Sequence, residues 1–251
     1  MDRTTMNKLF WTSLLLIASL TPNTVTASVT VEVNQQQYVF THAPRLIEVL
    51  APFSNQKSWY WPAAALYQAD DIQLEKKRQL LLTNLSLLAK RYKNEAPKIA
   101  QSLKHMQLVI SNWHIARRLP IKLDYDLARV EAEANPQLPP GKYILSVKPR
   151  MNTVQIIGAI DMIDDVAHQR HADASEYITG QLLTDLADKD IVILIQADGR
   201  KIEVPVAYWN KAHQEVMPGS QLFVPFKPSI FKPELAIINQ QIMTLAHNRV
   251  L

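Results

Sequence analysis

The chain has 251 residues, with 27 Lys and Arg against 23 Asp and Glu and a formal net charge of +4. So small an excess, spread along the chain, does not make a nucleic-acid surface, though it tolerates an anionic polysaccharide or membrane face. The complete lack of cysteine excludes disulfides, thiol catalysis, thiolate metal sites and the lipid-modified cysteine of bacterial lipoproteins.

Arg3 and Lys8 precede an apolar run, Leu9 to Leu20, which Pro22 breaks just ahead of Val25-Thr26-Ala27. This is the layout of a cleavable export signal over residues 1–27, and it places the mature protein in the periplasm. The run falls short of the roughly 20 apolar residues of a permanent membrane helix, and no later segment approaches that length without a charge.

Val29 to Val33 and Gln37 to Phe40 alternate around the polar Asn34-Gln35-Gln36 and predict a β-hairpin. Pro44 opens a short helix with Leu46, Ile47, Val49 and Leu50, followed by the aromatic loop Trp59-Tyr60-Trp61-Pro62. From Asp71, a candidate N-cap, Leu74, Leu81, Leu85, Leu88 and Tyr92 share one helical face. Pro97 starts a second helix with Ile99, Leu103, Met106, Ile110 and Trp113 at spacings of three and four, giving a helical hairpin over about 71–116.

Strand-like sequence returns at Leu119 to Leu123, at Tyr143 to Val147 and at Val154 to Ile160, the last with Gly158 inside it. Ser175 is placed to cap a helix through about Leu186. Ile191 to Gln196, an Asp198-Gly199 turn and Ile202 to Val206 then form another hairpin. A weak internal repeat pairs Pro140-Gly141, Ile144 and Lys148-Pro149 with Pro218-Gly219, Leu222 and Lys227-Pro228. This order fits an α+β protein of two related domains, 28–150 enlarged by the helical hairpin and 151–230, rather than one large sheet. A last amphipathic helix spans 233–249, with Leu235, Ile238, Ile242 and Leu245 as its stripe.

Few residues invite catalytic chemistry. No nucleophile elbow, zinc-protease helix or phosphate-cradling glycine loop is present among only five glycines. His168 and His171, with Asp161, Asp164 and Asp165 nearby, are as easily a solvated loop as part of a metal site, which needs three or four convergent ligands. Asp124 and Asp126 share a strand face and can be imagined as a carboxylate pair for sugar chemistry, but acids flanking a turn are common. Trp59, Tyr60, Trp61 and Trp209 offer either flat faces to sugar rings or apolar area to a core, and Trp113 sits on the hairpin seam.

Trp61-Pro62-Ala63-Ala64, Arg118-Leu119-Pro120-Ile121-Lys122-Leu123-Asp124, Asn135-Pro136 with Pro140-Gly141, and Pro205 to Lys211 leading to Pro218-Gly219-Ser220-Gln221-Leu222 together resemble the GfcC family of periplasmic capsule-biosynthesis proteins. The resemblance runs over essentially the whole mature chain. It implies two β-grasp domains similar to those of outer-membrane polysaccharide export channels, the second similar to their soluble-ligand-binding module, plus the C-terminal amphipathic helix. It also implies a non-enzymatic accessory role in capsule or exopolysaccharide export, without cofactor or metal. The partners would be a polysaccharide or oligosaccharide, an export component, or both; the apolar stripe of the C-terminal helix would either pack on its own domain or dock to the export channel or a membrane. A polysaccharide-modifying enzyme and a purely structural adaptor are the rival readings.

Arg118 aligns by resemblance with an arginine lining a deep pocket, and it stands where the helical hairpin enters the β domain, a junction of the kind that forms clefts. Its alternative role is a salt bridge to Asp124 or Asp126. Trp61, Asp124 and Trp209 complete the candidate ligand-binding set. Arg117 departs from the family pattern, in which a small residue precedes the arginine.

Overall fold

The computed structural model describes residues 28–251; the segment 1–27, expected to be an export signal, lies outside them. Strands β1 (Val29–Val33) and β2 (Gln36–Phe40) pair with Val33 opposite Gln36, so the loop is Asn34-Gln35 alone. Both loop residues have positive φ, 49° and 70°, the backbone that a two-residue connection between right-twisted strands requires. Helix α1 (Leu46–Leu50) follows, and a 3-10 turn at Trp61–Ala63 leads into β3 (Ala65–Gln68).

Helix α2 (Ile72–Tyr92) starts at Asp71, whose carboxylate accepts the Gln73 and Leu74 N–H groups at 2.9 and 3.2 Å. Helix α3 (Pro97–Ser111) packs back on it, and the chain returns to the sheet as β4, only Arg117–Arg118. Instead of the strand expected over Leu119 to Leu123, only the Leu119 N–H continues the ladder, donating to the Leu66 carbonyl at 2.9 Å, and the backbone then runs on to a short helix α4 (Tyr125–Val130), capped by Asp124. Pro120 cannot donate a ladder hydrogen bond, which limits pairing there. Strand β5 (Gly141–Ser146) completes a mixed sheet of order β2-β1-β5-β3-β4, with β1 parallel to β5.

The second sheet repeats this wiring. Strands β6 (Thr153–Gly158) and β7 (Asp164–Ala167), helix α5 (Ala174–Thr179), and strands β8 (Ile191–Ile195), β9 (Lys201–Pro205) and β10 (Gln221–Val224) give the order β7-β6-β10-β8-β9, with β6 parallel to β10. Gly158 has φ +116°, and a Cβ there would lie 2.0 Å from the Val224 carbonyl oxygen, so only glycine allows β10 this close. Helix α5 begins two residues earlier than expected and ends sooner. Asp173, not Ser175, is its cap, and its carboxylate also accepts the Ser175 hydroxyl at 2.9 Å.

The two sheets have separate cores. Val29, Val31, Leu46, Leu50, Leu66 and Leu145 form the first, with Trp59 and Trp61 against its edge. The second joins Val154, Ile156, Leu194 and Leu222 to the apolar faces of α2 and α3 and to helix α6 (Glu234–His247). The helical hairpin therefore leaves from between two adjacent strands of the first sheet and packs on the second. Ser102 of α3 donates to the Ile160 carbonyl, and α6 lies along α2, with Asn84 bonded to Gln241 and Arg91 paired to Glu234. Trp113 is buried in the same core.

The α6 stripe is spent within the chain. Leu235, Ile238, Ile242 and Leu245 are at most 2% exposed, so of the two fates open to this face, packing within the chain or docking to a partner, it takes the first, covered by α2 and the second sheet. Each such side chain contributes about 1.5–3 kcal/mol by leaving water. Among the described residues no helix is long and apolar enough to cross a membrane.

Candidate functional site

Where the two sheets meet, a cleft of about 1170 Å³ opens. One wall carries Trp61, Pro62 and the segment from Arg118 to Asp126. The other carries Asp198, Gly199, Arg200, Met217 and His247. A smaller chamber, with Tyr60, Tyr67, Ser146, Lys148 and Met151 among its lining residues, shares Arg118 with the cleft.

Arg118 owes its position to the first sheet. It pairs with Tyr67 across β3 and β4, and its N–H donates to Asn248 Oδ1 at 2.9 Å. The half-buried guanidinium donates through Nη2 to the Ala197 carbonyl at 2.9 Å and through Nη1 to the Tyr67 hydroxyl at 3.4 Å, and it lies 5.7 Å from the Tyr67 ring centroid. Gly199, φ +93°, passes directly beneath, where a Cβ would sit 2.6 Å from Nε. Burial pushes the Tyr67 hydroxyl's pKa up, against the opposing charge of Arg118, and keeps it a neutral phenol.

The alternative role of Arg118, a salt bridge to Asp124 or Asp126, is not realised; among the described residues Arg118 has no acidic partner. The acids of the cleft are otherwise engaged. Asp124 accepts the Leu127 N–H at 3.0 Å as the cap of α4 and pairs with Lys122 at 3.4 Å. Its pKa is lowered, chiefly by the Leu127 N–H; burial opposes this, and Lys122 adds a further lowering. Asp126 pairs with Arg129 at 3.8 Å, and Asp198 with Arg200 at 2.6 Å. Arg117 points elsewhere, holding Asp71 with two nitrogens at 2.7 Å each.

His247, in the last turn of α6, lies between the cleft and the second sheet. Burial, aided by the charges of Lys201 and Arg118, lowers its pKa to about 4, against a hydrogen bond with the Gly199 backbone that raises it. Its Nδ1 is buried without a partner.

Of the candidate residues, Arg118, Trp61 and Asp124 come together in the cleft, and Trp209 is not in its lining. Trp61 is half-buried, 5.8 Å from the Trp59 ring centroid. Trp209 is 74% exposed beside the fully exposed Tyr208, in a turn after β9, so it supplies no core area. His168 bonds to the Val216 carbonyl and His171 to Glu215, after a strand rather than on a shared helical face. Among the described residues no three His, Asp or Glu stand close enough to hold a metal. Sequence reasoning missed Tyr67, Lys148 and His247, whose place depends on long-range pairing. Gly199 was visible only as a turn glycine.

Two similarly wired mixed five-stranded sheets with a cleft at their junction make this an α+β protein. The chain belongs to the GfcC capsule-biosynthesis family. Residues 23–150 match the family described as capsule biosynthesis GfcC, N-terminal, and residues 162–251 match capsule biosynthesis GfcC C-terminal. A relative from Escherichia coli (strain K12), the uncharacterized protein YjbG, is 29% identical over 243 residues, which cover 95% of this chain and 98% of that protein.

Proposed function

We propose that this protein is a non-enzymatic periplasmic accessory of capsule or exopolysaccharide assembly that binds glycan in the cleft between its sheets. The observation that carries this reading is Arg118, a half-buried cation without an acidic partner among the described residues, facing a cleft beside Trp61. A guanidinium offers a planar fork of donors to hydroxyls or a carboxylate, and an indole offers a flat apolar face to a sugar ring. Family membership supplies the polysaccharide context.

In this reading each sheet, with one helix between its second and third strands, is a β-grasp domain of the soluble-ligand-binding kind. The repeated strand order supports that assignment. The rival, a polysaccharide-modifying enzyme, would draw its acid and base from Asp124 and Asp126. Asp124 is occupied as a helix cap, and the Asp126 side chain is 91% exposed, which is no environment for raising a catalytic pKa. An export component would meet the outward face of α6, where Ile237 is 58% exposed, rather than its buried stripe.

The test replaces Arg118 with Lys and with Ala in a strain whose capsule or exopolysaccharide can be quantified. Both variants should fold and both should lose polysaccharide output, with Lys restoring little because a point charge does not replace a planar fork. Normal output from a folded Arg118→Ala protein would remove the cleft arginine from the function.

A further inference from the structure

Two turns in the second half of the chain carry residues that turns ordinarily avoid. The Asn210 N–H donates to the Ala207 carbonyl at 3.0 Å and closes a turn around Tyr208 and Trp209. The Lys232 N–H donates to the Ser229 carbonyl at 3.0 Å and closes another around Ile230 and Phe231. Central turn positions usually go to Gly, Pro, Asn, Asp or Ser, for conformational reasons. Here all four are large and apolar or aromatic, and all four stand clear of the protein: Tyr208 fully, Trp209 74%, Ile230 93% and Phe231 86% exposed.

Both turns lie at one end of the second sheet. Pro205 at the end of β9 pairs with Ile191 at the start of β8, and β10 also runs antiparallel to β8, so the chain leaves β9 and β10 where β8 begins. Asp190, just ahead of β8, ties the two exits together. Its carbonyl accepts the Val206 N–H at 3.0 Å and the Asn210 side-chain amide at 3.3 Å, and its carboxylate pairs with Lys227 at 3.1 Å.

The charge around the turns has one sign. Segments 206–213 and 227–233 contain Lys211, Lys227 and Lys232 and no Asp or Glu. Lys232 also lies over Tyr92, 5.5 Å from the ring centroid, which brings in the end of α2 with the exposed Lys90 and Lys93. The neighbouring acids are engaged: Asp188 accepts the Asp190 N–H at 3.0 Å, Asp190 holds Lys227, Glu234 pairs with Arg91, and Asp173 pairs with Lys211.

We propose that the paired turns are a membrane-binding surface, which sets Tyr208, Trp209, Ile230 and Phe231 into the headgroup boundary of an anionic lipid bilayer with the lysines against its phosphates. Projecting side chains need a matching pocket on a protein partner, whereas a fluid bilayer receives them as they stand. Indole and phenol rings suit that boundary because they join an apolar body to a polar tip, and the closing hydrogen bonds spare each turn part of the cost of leaving water. This surface lies beyond the glycan-binding reading and does not depend on it. The β8–β9 hairpin carries its Asp198-Gly199 turn into the cleft wall and its open end to the apolar turns. Five-residue strands are about 17 Å long, so a chain seated on the turns holds its cleft clear of the lipid.

The experiment sediments the purified protein with vesicles of phosphatidylcholine alone and of about three parts phosphatidylcholine to one part phosphatidylglycerol. Binding to the anionic vesicles should be at least about tenfold tighter and should weaken as salt rises from about 0.05 to 0.3 M. Trp209→Ser and Phe231→Ser should each weaken it about tenfold, the scale of one large side chain returned to water, while Leu108→Ser, also exposed but on α3, changes nothing. All three variants should melt with the parent protein. Anionic vesicles should shift the tryptophan emission to the blue, and Trp209→Ser should remove that shift. No binding to either vesicle would overturn the proposal, as would anionic binding that both turn variants retain. Self-association that the two turn variants abolish, without vesicle binding by the parent, would overturn it in favour of a contact between copies of this chain.

Discussion

The two sheets share one strand order and differ in what covers them. The first is closed by local means: α1, only five residues long, and the aromatic edge of Phe53, Trp59 and Trp61. The second takes its cover from afar, since α2 and α3 belong in sequence between β3 and β4 of the first sheet, and α6 follows the last strand. A repeated sheet frame thus does not dictate its own cover. The larger helices go where a larger apolar face is open, and in doing so they bind the two halves into one unit.

The sharpest way to break this contrast is Ile242→Gln. Ile242 is fully buried between α2 and the second sheet, and an amide placed there has no hydrogen-bond partner within the core. Stability should fall by about 3 kcal/mol. Hydrogen exchange should show α2 and β10 losing protection together while β1 and β2 keep theirs. Equal loss in β1 and β2 would mean that the halves unfold as one and that the contrast has no energetic content.

A smaller effect is expected at the seam itself. Gly199→Ala forces an L side chain to a φ of +93° and drives a methyl into Arg118 Nε. The backbone strain costs about 1–2 kcal/mol, visible as a lower melting temperature. Glycan affinity should drop as far as in Arg118→Ala, because the guanidinium must leave its place. Unchanged affinity would show that the second sheet does not set the position of Arg118.

The mildest test uses pH. Folded His247 takes up its proton only near pH 4, whereas the unfolded side chain does so near 6.5. Between those values the unfolded state binds a proton that the folded state refuses. The contribution is therefore complete above pH 6.5 and lost as pH falls toward 4. With solvent screening of a half-exposed ring, the loss is about 1 kcal/mol. Denaturant titrations at pH 7 and 4.5 should show it, and His247→Gln should remove that part of the difference.

The elements most legible in the sequence were those with a strong period. The β1–β2 hairpin, the two faces of α2 and α3, and the stripe of α6 are each a local pattern of apolar spacing, and each formed. What escaped were short or atypical elements. Strand β3 is four residues with three of them buried, so it has no alternation, and the acidic start of β7, Asp164-Asp165, reads as a loop. Nor could the seam of the helical hairpin reveal which sheet it would cover, because an apolar face specifies burial and not a partner. The site divides in the same way. Arg118, Trp61 and Asp124 lie on conspicuous motifs, whereas Tyr67 reaches Arg118 through the pairing of β3 with β4, and Gly199 and His247 reach it only through the joining of the two halves.

After α6 the chain does not stop at the second sheet. Residues 248–251 return to the first: Asn248 accepts the Ala116 N–H at 3.0 Å, Val250 donates to the His114 carbonyl at 2.9 Å, and Leu251 accepts the Ser146 hydroxyl. With the departure and return of the helical hairpin, the two walls of the cleft are stitched together at several points around its rim. A vessel with a single hinge gapes to admit its contents; one laced on several sides keeps its gauge. On the proposed reading, a polymer would then enter end-on or from the open side and meet walls already in their final spacing. Little conformational freedom would remain to be surrendered on arrival, and selection would fall on the girth and charge of the strand rather than on the closing of a jaw.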